Sequence, residues 1–296
     1  MGDASADYAR ELGLALQVTA PAARAAIAEF AAAGPRGLDV GCGQGQHSIW
    51  LAEAAGPEAH VTGLDVSQAH LDAAAERAAA GPQAAQLDFV RGDLESLPFA
   101  DGTFDWVWCA DTLWPSLTTD DPVRSVRALA RVLRPGGDLG LFYWSGQQLL
   151  PGYPLLEARL GAAFAATVPY LAARTPEHHF MRAGGWLAAA GLTDVRARTY
   201  VAELSGPLSA PQRDGLAYCL QMLWGGLEAH LAEDDRQTFR RVSRPESEEC
   251  LLLRPDYAGF VVYTLFTGVR GAAASAEGPG VRSRGRRAAP RPRRPA

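Results

Sequence analysis

The stretch Gly37-Leu38-Asp39-Val40-Gly41-Cys42-Gly43-Gln44-Gly45-Gln46-His47-Ser48 most limits what this chain can become. Residues 38–40 read as the end of a short buried strand. Gly41, Gly43 and Gly45 then form a tight turn, and Ile49-Trp50-Leu51-Ala52 continues as a helix. Glycines let the backbone take left-handed angles and let a ligand approach where a Cβ would clash. The first amides of the helix are free donors for a carboxylate or phosphate. The spacing is G-x-G-x-G, which differs from the dinucleotide pattern G-x-G-x-x-G. By itself such a turn also suits an ordinary strand–helix junction, so its meaning depends on the residues downstream.

Downstream, the chain alternates β and α over about 110 residues. A helix runs to about residue 55, where Gly56-Pro57 breaks it. A second strand over 59–65 ends on Asp65, and Ser67 caps a helix reaching residue 80. A third strand spans 86–91 and leads into Gly92-Asp93-Leu94-Glu95. A fourth, over 103–110, is apolar on both faces, as a central parallel strand should be. Asp121-Pro122 opens a helix that Arg134-Pro135-Gly136-Gly137 closes, and a fifth strand covers 138–144. The pattern predicts a parallel sheet with helices on both faces and a ligand over the carboxyl ends of its strands. Gly41, Asp65, Asp93 and Asp111 all fall at those ends. A carboxylate at the second tip can accept from both hydroxyls of a ribose. One at the third can accept from an adenine amine.

Upstream, two alanine-rich helices are expected within residues 1–33, broken near Thr19-Ala20-Pro21. They would pack on the domain or cover the ligand, with Tyr8 near a substrate. Beyond the fifth strand, helical pieces are expected at 157–167, 184–190 and twice within 208–243, and strands at 194–204 and 258–269. Residues 271–296 carry seven arginines and a single acid, Glu277, so residues 1–270 hold −11 of a formal net charge of −5. The Gly-, Ala-, Pro- and Arg-rich tail is expected to be disordered. The acidic body is a poor match for nucleic-acid backbones.

Hydrophobic residues make up 48% of the 296, enough for a full core. All 28 basic residues are arginine, which excludes lysine-based covalent catalysis. Cys42, Cys109, Cys219 and Cys250 show no metal-site spacing and no disulfide framework. The N-terminus has no secretory signal pattern and no apolar run is long enough to span a bilayer, so a cytoplasmic protein with no membrane partner is expected.

Four blocks resemble the class I S-adenosylmethionine-dependent methyltransferases, in particular the small-molecule branch that includes ubiquinone and menaquinone C-methyltransferases. They are residues 38–45, residues 61–67, residues 92–99 with Phe104-Asp105, and residues 129–137, together spanning about residues 36–145, roughly a third of the chain. The resemblance implies an α/β, doubly wound, seven-stranded and mostly parallel sheet whose last strand is antiparallel. Residues 1–270 would form one domain, with helical substrate-cap insertions at 146–180 and 205–250. The implied cofactor is S-adenosyl-L-methionine. Gly41, Cys42, Gly43 and Gly45 would pass under its methionine and ribose parts, and Asp39 would help hold the amine. Asp65 would take the ribose hydroxyls and Asp93 the adenine amine, with Val66 and Leu94 against the ring. The Ala110 carbonyl would lie near the methionine amine and sulfonium. Asp111 and Trp114 would face the methyl group, and Trp144 and Trp224 would line the acceptor pocket with Tyr8.

The implied partner is a small-molecule methyl acceptor, with the protein a monomer or homodimer, no nucleic acid and no metal. The sulfonium is its own leaving group, so the protein supplies mainly binding, alignment and exclusion of water. A general base is needed only for an acceptor that arrives protonated. His178 and His179 are candidates in a loop over the site, and Glu228 and His230 are others. His47 is placed either to touch a ligand or to cap the turn. A non-catalytic cofactor-binding protein shares most of these features. A nicotinamide oxidoreductase shares the alternation and Asp65, but not the glycine spacing or the Asp93 block.

Overall fold

The computed structural model describes residues 2–30, 34–168 and 175–271, with side chains from residue 13 onward, Glu228 excepted. The elements run α1 Gly2–Phe30, β1 Arg36–Val40, α2 Gln46–Ala55, β2 His60–Asp65, α3 Gln68–Ala79, β3 Leu87–Arg91, β4 Phe104–Ala110, α4 Pro122–Val132, β5 Leu133–Gln148, α5 Pro154–Thr167, α6 Ala183–Ala189, β6 Leu192–Ser205, α7 Ala210–Trp224, α8 Glu233–Ser243 and β7 Ala258–Arg270. The strands form one seven-stranded sheet in the order β3-β2-β1-β4-β5-β7-β6. Every pairing is parallel except those of β7, which runs antiparallel to both β5 and β6. This is the doubly wound sheet the sequence predicts.

Both faces of the sheet are covered, which is why β4 (Phe-Asp-Trp-Val-Trp-Cys-Ala) is buried almost throughout. Its alternate side chains feed two cores. Trp106 and Trp108 enter the one built with α1, α2 and α7, and Val107 and Cys109 the one built with α4 and α6. The single charge in the strand, Asp105, is 5% exposed. It accepts from the Arg36 amide at 2.8 Å and from Arg134 Nε, tying β1 and β5 together at the end of the sheet far from the glycine turn.

Several expectations need correcting. The N-terminal segment is one helix with Pro21 inside it. Pro21 is exposed, while Val18, Ala22, Ala23, Ala26 and Ile27 are buried against the rest of the core. Burial of that stripe outweighs the lost hydrogen bond of an interior proline. The fifth strand begins at Leu133 and continues to Gln148, so Pro135-Gly136-Gly137 lies within it and residues 146–148 belong to the sheet instead of a cap. β7 supplies the pairing that extends it, with Gln148 opposite Phe260. The region 208–243 adds a 3-10 turn, Gly225–His230, between its two helices. The disorder expected for the tail beyond residue 271 lies outside the described residues, as does the side chain of Tyr8.

Candidate active site

The register brings four strand tips to one level. Val40 of β1 lies beside Leu64 of β2 and Cys109 of β4, Asp65 beside Arg91 of β3, and Ala110 beside Phe142 of β5. The chain order reverses between β1 and β4, so a crevice opens there, above the carboxyl ends of the strands.

The glycine turn fills the floor of that crevice. Gly41, Gly43 and Gly45 have φ of 71°, 52° and 74°, values that side chains rarely adopt. At Gly41 the restriction is also spatial, because a Cβ would stand 2.1 Å from Thr112 Oγ1. The Gly41 and Cys42 amides both donate to the Leu64 carbonyl, at 2.7 and 3.0 Å, which pins the turn to β2. Cys42 contributes backbone only. Its side chain is buried, close over Gly63, and burial pushes its thiol far up. Arg77 of α3 clamps the turn from outside, donating at 3.0 Å to both the Gln44 carbonyl and Gln44 Oε1. Nothing in the sequence marked that clamp, because it joins residues 33 apart on a helix read only for its cap.

Asp65 is nine-tenths buried at the tip of β2. One carboxylate oxygen accepts from the Gly43 amide at 3.0 Å and the other from the Ser67 amide at 2.9 Å, with His70 Nδ1 3.4 Å away. The acid thus joins the glycine turn to the cap of α3 and still has lone pairs to offer. Val66 beside it is 60% exposed, an apolar side chain left open at a strand tip. Asp93 is exposed, and one of its oxygens accepts from the Glu95 amide at 2.8 Å. Leu94 is buried in the core under this turn, so it can support a ring only from below. An apolar flank, two carboxylates and a glycine floor fit the nucleoside end of the implied cofactor.

Asp39 lies beneath the turn and is 1% exposed. Burial, above all, raises its pKa to about 7, although the Ser48 hydroxyl donates to it at 2.6 Å. His47, on the first turn of α2, accepts from Trp108 Nε1 at Nδ1, 3.3 Å away, and packs against Trp50 and Phe142. That bond leaves its proton on Nε2, and burial lowers its pKa to about 4. The ring is neutral at ordinary pH and cannot serve as a cation.

At the fourth tip the Ala110 carbonyl accepts from Thr112 Oγ1 at 2.8 Å. Asp111 follows with φ 44°, in the left-handed region. Its carboxylate accepts from the Trp144 amide at 2.9 Å and has the Tyr263 hydroxyl beside it, which favours the charged form. The Trp144 indole packs on Tyr263 and donates to Gln147 Oε1 at 2.8 Å. Trp114 lies with the other core, against Tyr143 and Phe180.

The remaining candidates have other surroundings. His179 Nδ1 accepts from the Met181 amide at 3.3 Å, capping a short 3-10 turn, and its ring packs on Phe180. His178 ends the preceding 3-10 turn, Pro176–His178. Trp224 is fully buried and packs edge-on against Phe239, so it is core and lines no pocket. An aromatic at helical spacing is equally suited to either place, which is why the sequence misassigned it. Tyr263 was passed over for the opposite reason: it sits in a strand read only for its β-branched and aromatic content. Among the described residues no cluster of His, Cys, Asp or Glu could hold a metal, and no helix is long and apolar enough to cross a membrane.

Residues 38–137 match a family described as a methyltransferase domain. Over 109 residues the chain is 38% identical to the methyltransferase GfsG of Streptomyces halstedii, a match covering 37% of each protein. Over 116 residues it is 37% identical to a demethylmenaquinone methyltransferase of Listeria monocytogenes, covering 39% of this chain and 47% of that one. The chain thus matches less than half the length of these curated relatives. Among solved structures, the YcgJ protein of Bacillus subtilis superposes with a TM-score of 0.51 at 19% identity, covering 85% of this chain and 99% of that one. A chain from the Haloferax volcanii complex of the Trm112 methyltransferase activator with a methyltransferase gives 0.51 at 19% identity, covering 90% and 96%. At that identity the likeness concerns the fold. The chain thus shares the Rossmann-like α/β fold of these structures and carries a methyltransferase-domain match over about a third of its length. Its methyltransferase domain comprises the β1-to-β5 segment that carries the site.

Proposed function

We propose that this protein transfers the methyl group of S-adenosylmethionine to a small or medium-sized organic acceptor, releasing S-adenosylhomocysteine. The observation that carries the reading is the bond between the two halves of the crevice floor. The ribose-side acid Asp65 holds the amide of Gly43 in the middle of the glycine turn, 3.0 Å away. One ligand lying across the β1/β4 opening would meet both. Asp65 and Asp93 would take the nucleoside polar groups, with Val66 along the base. Gly41, Gly43 and Gly45 would admit the amino-acid part close to the backbone, above Asp39. When bound, the cofactor supplies an activated methyl group on a sulfonium, and the chain supplies position and dryness.

Two features favour a small, flat acceptor. The described polar groups at the reacting end, Asp111 and Tyr263, are flanked by the rings of Trp144 and Phe142. Similar proteins include one named as a demethylmenaquinone methyltransferase and an O-methyltransferase of Aspergillus nomiae. Calorimetry with S-adenosylhomocysteine, S-adenosylmethionine and NADH tests the reading. Micromolar binding of the adenosyl compounds without NADH is expected. Binding of NADH alone would overturn it, and so would binding of none with candidate acceptors present.

A further inference from the structure

The crevice has one acid that the nucleoside does not occupy. Asp39 is sealed under the glycine turn on Ser48. Asp65 is held by the Gly43 and Ser67 amides, and Asp93 stands at the far, β3, tip. Asp111 stands at the tip of β4, on the other side of the switch point, where a ligand whose nucleoside end lies over β2 and β3 must place its opposite end.

The residue is built into that place. A non-glycine residue with φ of 44° costs conformational energy, and such residues gather at working sites. The Asp111 amide donates to the Phe142 carbonyl at 2.9 Å, and its carboxylate is fixed by the Trp144 amide at 2.9 Å, beside the Tyr263 hydroxyl. Asp111 as a residue is exposed at the rim above β4. Tyr263 in turn lies within hydrogen-bonding reach of Thr19 on α1 and stacks on Phe142 at 4.5 Å. The acid is therefore backed by hydroxyls on one side and stands at the rim above β4 on the other.

The titratable groups facing Asp111 are Tyr263 of β7, Tyr143 of β5 and Cys109 of β4. Burial pushes all of them upward, so they are neutral, and Asp111 is the one charge of this group. A single carboxylate neutralises one cation. With a sulfonium at this end, an acceptor arriving as an ammonium would bring a second cation into a poorly solvated place, at high cost. An acceptor hydroxyl brings none.

We propose that Asp111 is the proton acceptor for an acceptor hydroxyl of phenol or enol type, an inference that rests on the methyltransferase reading above. In the step, the hydroxyl proton passes to the carboxylate of Asp111. The oxygen pair of the acceptor forms the new O–C bond as the C–S bond breaks, and sulfur keeps that pair. The products are a methyl ether, neutral S-adenosylhomocysteine and protonated Asp111, which returns its proton to water when the products leave. The Asp111 pKa, raised by burial to about 6, makes the carboxylate a better base than an ordinary one while leaving it ionised at neutral pH.

The test uses the full chain, radiolabelled S-adenosylmethionine, and catechol, naphthol and naphthohydroquinone as probes, with benzylamine as the amine control. S-adenosylhomocysteine affinity and an infrared titration of the carboxyl groups are measured beside activity. Asp111→Asn keeps the shape, and asparagine tolerates the left-handed backbone, so the variant should fold. The expected result is methylation of at least one hydroxyl probe by the wild type, rising with pH through about pH 6. Asp111→Asn should lower kcat by about 10²–10⁴-fold, abolish that rise and remove one carboxyl titration, with S-adenosylhomocysteine affinity unchanged. Tyr263→Phe, which removes a donor to the ionised form, should move the rise to higher pH. The inference fails if Asp111→Asn keeps its activity and pH profile, or if the cofactor-binding wild type methylates benzylamine alone or no probe at all. A wild type that binds no adenosyl compound would instead overturn the reading beneath it.

Discussion

Two aspartates at the site show how one residue type is put to opposite uses. Asp65 accepts two backbone amides in its ionised form, so its charge is supported by the fold before any ligand arrives. Replacing it with alanine removes an acceptor from the ribose side and frees the Gly43 amide, loosening the turn. S-adenosylhomocysteine affinity should fall by roughly 1–3 kcal/mol, read by calorimetry. Unchanged affinity would take Asp65 out of the site. Asp39 is the reverse case. The native state holds its proton up to about pH 7, whereas the unfolded chain releases it near the ordinary value of 3.8. Between those values the unfolded state loses a proton that the native state keeps, so stability declines as pH rises and levels off above about pH 7. Asp39→Asn keeps the shape and has no charge to bury. It should gain stability over wild type at pH 8 compared with pH 5, by at most about 3 kcal/mol in denaturant melts, while binding cofactor less well. A constant difference between the two pH values would show that Asp39 ionises freely. Residue types and spacing were enough to pick out Asp65 and the glycines. They were silent on Arg77 and Tyr263, whose roles depend on which helix or strand lies alongside.

Helix α1 shows where local signals yield to packing. Thr19-Ala20-Pro21 reads as a break, yet the helix passes through it, with the proline on the outer face and small residues Ala22, Ala23 and Ala26 buried inside. Proline position is visible in a sequence, but the partner that makes continuity worthwhile is not. That partner includes α7, which crosses α1 at Gly215. A Cβ there would stand 2.6 Å from the Leu14 carbonyl and 3.0 Å from Gln17 Cβ. A backbone carbonyl cannot swing aside, so Gly215→Ala must push the helices apart. Overpacking of this kind costs about 1–3 kcal/mol, and alanine returns up to about 1 kcal/mol of helix propensity. Net destabilisation of roughly 1–2 kcal/mol is expected in urea unfolding. A stabilised variant would mean that α1 and α7 do not touch as closely as described. The parallel half of the sheet was legible because its strands end on glycine, proline or acidic punctuation. The extra length of β5 was not, since Pro135-Gly136-Gly137 carries the same punctuation and is still drawn into the strand beside β4 and β7.

At the scale of the molecule, the crevice is where parts of the chain distant in sequence are joined only through short loops. The glycine turn hangs on β2 through the Leu64 carbonyl, Asp65 reaches across to that turn, and Asp111 hangs on β5 and β7 through Trp144 and Tyr263. A ligand lying over β2, β1 and β4 would add contacts to each of these at once and none to the unfolded chain. Its binding energy therefore appears as stability of the whole domain. With S-adenosylhomocysteine at about 100 times its Kd the gain is about 2.7 kcal/mol, which for a chain of this size is on the order of 5–10 °C in Tm. Scanning calorimetry should show one transition moving upward as a unit with ligand concentration in the wild type. Asp65→Ala should need correspondingly more ligand for the same rise. Asp111→Asn should follow the wild-type curve, because the acid at β4 is assigned to the acceptor and not to the nucleoside. A ligand effect confined to part of the transition would mean that the β1–β3 half melts separately from the β5–β7 half. The shared cores of β4 would then be less cohesive than their burial implies.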